Sequence, residues 1–177
     1  MKLQTRCVSC FTDKSGFAIG SIEGRVGIQY VNETATQYTP LSLLPLNLLF
    51  IFIYFFLSKR KNFAFKCHRD AQSKKIFAVN SIAFHPIYGT FATAGADGAF
   101  HFWDKDSKQR LKQFKNCNDP ITATKFSATG NVYAYATGYD WHRGSEGYEQ
   151  HKQNHIYIHP VQESEIKNKK STTKKKY

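Results

Sequence analysis

Catalytic signatures are missing from this sequence. It holds no Gly-x-Ser-x-Gly elbow, no phosphate-binding P-loop, no His-Glu-x-x-His helix and no Cys/His pair in a recognisable setting. No catalytic residue and no cofactor is therefore assigned, and a non-enzymatic role is expected. Acid is scarce as well: 13 Asp and Glu stand against 25 Lys and Arg, a formal net charge of +12 over 177 residues. Six of the lysines fall in 167–177 without an acid among them, so a basic tail follows a mildly basic body. That balance suggests an anionic partner, nucleic acid or an acidic protein, with a solvated tail as the plain alternative. Methionine occurs once, while aromatics reach 15%, which favours β structure over a helical bundle. With 41% hydrophobic and 21% charged residues, disorder, collagen and coiled coil are excluded as overall readings.

Cysteine is limited to Cys7, Cys10, Cys67 and Cys117. One C-x-x-C without a second close pair, or two histidines at matching spacing, does not make a zinc site. Residues 1–6 carry no secretory signal, so free thiols in a reducing compartment are expected, and the sequon at Asn32 carries no meaning there. His151, His155 and His159 stand four apart, which on a helix would form a metal face. The segment 154–161 alternates like a strand, however, where residues four apart are roughly 13 Å from one another. No metal site is assigned.

What is present is a repeat. Gly16–Val31 and Gly89–Asp104 each show an alternating apolar run, a small-residue step, an acid-Gly turn and a second alternating run. Glu23-Gly24 and Asp97-Gly98 supply the positive φ that a tight hairpin needs. Gly130–Asp140 repeats the first strand of the pattern 41 residues after Gly89. A period of about 40 with four short strands per unit marks a propeller blade. The expected fold class is all-β: a partial β-propeller of two to three blades.

The second unit ends in Trp103-Asp104, and Cys67-His68 stands where such repeats carry Gly-His, 35 residues before the Trp. This resembles the WD40 family. The resemblance implies a buried hydrogen-bonded tetrad of His68, Thr93, Asp97 and Trp103 with a structural role, every buried polar group finding a partner. The first unit departs from the pattern, with Glu23 and Gln29 at the Asp and Trp positions, and the third has no evident tetrad. SIEGRV at 21–26, FAFKCHR at 63–69, FHPIYGTFAT at 84–93, FWDKD at 102–106 and YDWHRG at 139–144 follow in order. Together they are similar to the C-terminal blades of the WD40 family of nuclear-pore mRNA export factors, whose members dock on the GLEBS motif of a Gly-Leu-Phe-Gly-repeat nucleoporin. The resemblance covers roughly 4–33 and 62–161. A sister family, the mitotic spindle checkpoint propellers that bind GLEBS-like motifs of checkpoint kinases, shares SIEGRV and FKCHR, and a generic WD40 interaction scaffold is a further alternative. The lysine-bearing WDKD and the Tyr-Asp-Trp run favour the export factors.

That family implies an adaptor at the nuclear pore, in nucleus and cytoplasm, with a GLEBS nucleoporin and RNA as partners, and mitotic checkpoint or spindle proteins under the alternative reading. Arg25, just after the first hairpin turn, suits bidentate pairing with a partner carboxylate, or is simply solvated. Phe65, Lys66 and Arg69 join it as candidates for partner binding. Lys105, Lys108 and Arg110 are candidates for RNA phosphates, without base preference, against the plain reading of a solvated loop. A Trp103 locked in the tetrad would not stack on a base.

Three divisions complete the reading: an incomplete blade at 1–33, blades at 62–161 and a basic disordered tail at 162–177. Between the first two lies an apolar insertion at 34–61. Its residues 41–57 hold seventeen positions without charge, followed by Ser58-Lys59-Arg60-Lys61, and are the one route to a membrane. The insertion falls between strands expected to be hairpin partners, so deleting it leaves an ordinary connection. Its Phe, Leu, Ser and Pro codons are pyrimidine-rich, which fits translated intron sequence; a membrane anchor and a surface insertion are the other readings. A closed propeller of this family has about seven blades, so a chain with so few is expected to be a fragment or an incomplete gene model with open edges.

Overall fold

A computed structural model describes residues 4–31, 62–70, 72–150 and 153–168. The insertion 34–61, His151 and the tail beyond 168 lie outside the described residues.

Eleven strands form three antiparallel sheets among the described residues. The first sheet holds β1 (Thr5–Cys10), β2 (Gly16–Ser21), β3 (Arg25–Tyr30) and β4 (Phe63–Lys66) in chain order. The second holds β5 (Val79–Phe84), β6 (Phe91–Gly95), β7 (Phe100–Asp104) and β8 (Gln109–Gln113), again in chain order. The third has three strands, β9 (Ile121–Phe126), β10 (Val132–Thr137) and β11 (His155–Pro160). The first strands of the sheets sit side by side, β5 packing on both β1 and β9. Four-stranded meanders arranged around their first strands are propeller blades, and the all-β partial propeller expected from the repeat is borne out.

Both acid-Gly pairs lie where the turns require positive φ: Gly24 at 60° and Gly98 at 73°. β3 and β4 pair from Arg25↔Lys66 to Ile28↔Phe63, although the 34–61 segment separates them in sequence. The Tyr30 amide donates to Asn62 Oδ1 at 2.8 Å and closes that pairing at its open end.

The core is two layers, one on each side of the second blade. Between the first and second blades, Val26, Ile28, Val79, Phe91 and Trp103 are buried together. Between the second and third, Ala92, Phe100, Phe102, Ile121 and Tyr133 are. β6 and β7 are buried along their whole length because alternate side chains enter alternate layers. Phe91 and Thr93 face one way with Trp103 and His101, while Ala92 and Ala94 face the other with Phe102 and Phe100. Ala92 and Ala94 on β6 leave room for the Phe100 and Phe102 rings on β7.

The sequence pattern places residues 162–168 in the basic tail. Their backbone instead forms a helical turn, α1 (Glu163–Ile166), with Ile166 buried in the second layer. Tyr88 Oη donates to Glu163 at 2.8 Å, and His159 Nε2 lies 2.9 Å from Glu165. Ile166, buried in the layer, and the two partnered glutamates before it dock the turn.

Candidate partner and nucleic-acid interface

The turn between β4 and β5 carries His68, and β6 and the following hairpin turn carry Thr93 and Asp97. Their side chains meet inside the wall between the first two blades. His68 Nδ1 lies 2.9 Å from Asp97 Oδ1, and His68 Nε2 lies 2.9 Å from Thr93 Oγ1. Trp103 Nε1 donates to the same Thr93 oxygen at 2.9 Å. Asp97 also accepts from the Ala99 amide at 3.1 Å, which closes the hairpin turn. Burial pushes the Asp97 carboxyl up, but hydrogen bonding and charge from His68 bring it below the ordinary carboxylate range. The four residues thus clamp β4's end, β6, the turn and β7 into one unit.

His101 stacks on His68 with ring centroids 4.9 Å apart, and its Nδ1 is buried without a hydrogen-bond partner. Burial, with the nearby His68, lowers its pKa to about 4. His68, Asp97 and His101 offer one metal-ligating atom each within 4.8 Å of one another. Both His68 ring nitrogens are already occupied by Asp97 and Thr93, so the trio holds the blade rather than an ion.

Outside this lock, the seam between the blades opens into a groove of about 140 Å³ lined by Phe63, Phe65, Lys66, Phe91, Trp103, Asp104, Lys105 and Lys108. β4 supplies one bank; β7 and the turn after it supply the other. Phe65 packs on Trp103 with centroids 4.7 Å apart, and the Arg110 guanidinium lies 5.9 Å from the same indole. Trp103 is only 9% exposed, so it is a wall of the groove and offers no free face to a base. Asp104 accepts from the Asp106 amide at 2.9 Å and from Ser107 Oγ at 2.7 Å. That turn holds Lys108 at φ 57° with its ammonium 4.7 Å from the Phe63 ring.

The three cations chosen from sequence are not equivalent. Lys108 and Arg110 are exposed. Lys105 is buried: its side chain is 4% exposed, its ammonium sits 3.0 Å from Asp106 and it lies 5.4 Å from the Phe11 ring of the first blade. The turn folds Lys105 inward against the neighbouring blade, which removes it as a phosphate contact. Arg25 is half-buried and pairs with Glu23, Nε to carboxylate 3.5 Å, and is not simply solvated. Arg69 donates to the Glu23 carbonyl at 2.8 Å. With Lys66 opposite Arg25 across the strand pair, the first hairpin turn becomes a basic corner of Arg25, Lys66 and Arg69, continuous through Lys66 with the groove.

Three residues lining the groove, Phe63, Phe91 and Asp104, are not among those expected from the sequence. Phe63 is the apolar rest for Lys108, and Asp104 builds the turn that presents it. The Asp-Lys-Asp-Ser-Lys run was a turn signal that could have exposed the role of Asp104; Phe63 had no signal beyond its alternation with Phe65.

Antiparallel meanders, one of them locked by a His–Thr–Asp–Trp network, define the class: the architecture is that of WD40-type β-propeller blades. No family model matches the chain. Among curated proteins, it is 46% identical over 170 residues to Protein RAE1 of Arabidopsis thaliana, covering 96% of this chain and 42% of that protein. It is 46% identical over 178 residues to mRNA export factor GLE2 of Chaetomium thermophilum, covering 99% of this chain and 43% of that protein. The Poly(A)+ RNA export protein of Schizosaccharomyces pombe is 43% identical over 169 residues, 94% of this chain and 42% of its own length. The resemblance to the WD40 mRNA export factors is therefore borne out, and the chain spans a little over two fifths of the relatives it matches.

Proposed function

We propose that this chain is a non-catalytic WD40 adaptor of mRNA export, working at the nuclear pore between nucleus and cytoplasm. In this reading it holds the GLEBS motif of a nucleoporin at the corner of Arg25, Lys66 and Arg69 and RNA along the groove beside Lys108 and Arg110. The observation that carries the reading is the joining of these two sets on one seam. A basic corner fits an acidic hairpin, and its guanidinium groups offer forked donors to carboxylates. The groove sets an ammonium on one aromatic ring and a guanidinium by another, which suits a phosphate backbone. The relatives named as mRNA export factors favour this role over the checkpoint reading.

The test is binding by the full chain. A GLEBS peptide should bind and lose affinity with Arg25→Ala, while checkpoint-kinase peptides should not bind. Single-stranded RNA should bind with a salt slope that falls by about 1.4 in the Lys108→Glu/Arg110→Glu variant, each phosphate contact contributing roughly 0.7 to the slope. An unchanged slope removes the groove from the proposal. Preference for the kinase peptides would transfer the chain to the checkpoint reading.

A further inference from the structure

The loop after β10 is left unused by the tetrad, the groove and the corner. It displays two aromatic side chains in solvent: Trp141 is 60% exposed and Tyr148 is 58% exposed. Their rings lie nearly parallel, centroids 5.8 Å apart at an interplanar angle of 19°. Apolar surface of that size normally turns inward. Trp141 has φ 60°, a left-handed conformation that is costly for a side chain of this bulk.

The loop is braced from below. Tyr139 Oη donates to the Gly144 carbonyl at 2.8 Å and accepts from the Arg143 amide at 3.0 Å. A Cβ on Gly147 would stand 2.3 Å from that same phenol oxygen, so the 3-10 turn Gly144–Gln150 closes tightly over the Tyr139 ring. His142 Nδ1 lies 2.6 Å from the buried Asp140 carboxylate. Arg6 at the start of the first blade donates to the Asp140 carbonyl at 3.0 Å, tying the loop across to β1. A strained residue held by this many partners is preorganised, which lowers the ordering cost of any ligand that uses it.

We infer that Trp141 and Tyr148 form a stacking platform for a base of single-stranded RNA, a second nucleic-acid contact on the third blade, apart from the groove between the first two. Base stacking on aromatics is tolerant of sequence and needs a rigid, accessible ring with cations nearby to hold the backbone. Arg143, two residues after the indole, is exposed and supplies the cation, and Glu146 and Glu149 are the acids in 141–150. An acidic peptide would find Arg143 attractive, but it has no use for two parallel rings. An unpaired base has.

The test uses the full chain and a labelled single-stranded 12-mer RNA, with affinity followed by anisotropy from 50 to 200 mM salt. Trp141→Ala should weaken binding roughly tenfold with an unchanged salt slope, because stacking adds affinity without releasing counterions. Tyr148→Ala should weaken it less, and Trp141→Phe should restore most of the affinity. Both side chains are exposed, so melting temperatures should match the parent. An abasic 12-mer should bind parent and Trp141→Ala alike. Equal RNA affinity for parent and Trp141→Ala overturns the inference, as does an equal loss on the abasic strand. Dependence of GLEBS-peptide binding, but not RNA binding, on Trp141 also overturns it and makes the platform a protein contact. The Lys108→Glu/Arg110→Glu slope reports on the groove independently, so either site can fail alone.

Discussion

At the scale of single residues, one buried network carries the wall between the first two blades. His68 serves both Thr93 and Asp97, so His68→Ala takes one partner from each, leaving Thr93 with Trp103 and Asp97 with the Ala99 amide, and opens space in the wall. The expected cost is about 2–4 kcal/mol, read as a lower denaturation midpoint at unchanged m. Next to it, His101 is held neutral. Its folded pKa, about 4, lies below the unfolded value near 6.5, so the unfolded chain binds the proton more readily as the solution is acidified. Stability present above pH 6.5 should therefore be lost on going down to pH 4, by about 3 kcal/mol from this group. His68 and Asp97 face the same ring, and the depressed Asp97 carboxyl adds loss in the same direction at lower pH. A pH series of urea melts checks this, with His101→Gln expected to flatten the profile between 6.5 and 4. The tetrad itself was legible through the resemblance to the WD40 family, which assigns its four positions. Lys105 was not: its burial comes from Phe11 on another blade, which local sequence does not encode.

At the scale of elements, the hairpin turns fix the blades. Gly98 combines φ 73° with a neighbour that would stand 2.3 Å from an added Cβ, the Cys117 carbonyl. Gly98→Ala should cost about 2 kcal/mol or more, because strain and backbone overlap add. Gly144, with φ 63° but nothing near its Cβ position, is the internal control and should lose less. The first hairpin makes a different forecast. β3 and β4 pair in continuous register from Arg25↔Lys66 to Ile28↔Phe63, the register an ordinary short hairpin would also give. Replacing them with a four-residue turn should retain the β-sheet circular dichroism and stabilise the fold by about 1–2 kcal/mol through cheaper loop closure. Loss of the β signal would show that the insertion contributes to the fold. The strands were legible from alternation and acid-Gly turns; α1 was hidden, since its one anchor, Ile166, acts through a core layer assembled from distant strands.

At the scale of the molecule, three blades give two buried layers among the described residues, and the outer strand of the third blade is exposed among them. Ile156 and Ile158 on β11 are 79% and 69% exposed there, opposite Ala136 and Ala134. Changing both isoleucines to lysine should lower self-association in sedimentation without lowering the melting temperature, since neither side chain is in a core layer. The two candidate surfaces, the basic corner and the groove, adjoin at the seam between the first two blades, which the repeat pattern indicated in sequence but did not shape. The corner arises because the β3–β4 register sets Lys66 beside Arg25, and the groove arises because the turn after β7 leans on β4. Simultaneous binding is the consequence that matters most for an adaptor. The direct measurement is retention of labelled single-stranded RNA on an immobilised GLEBS peptide by the full chain. Retention that requires the chain, survives saturating peptide on the beads and drops with Lys108→Glu/Arg110→Glu is expected. Release of RNA as the peptide binds, or no retention at all, would contradict the adaptor role.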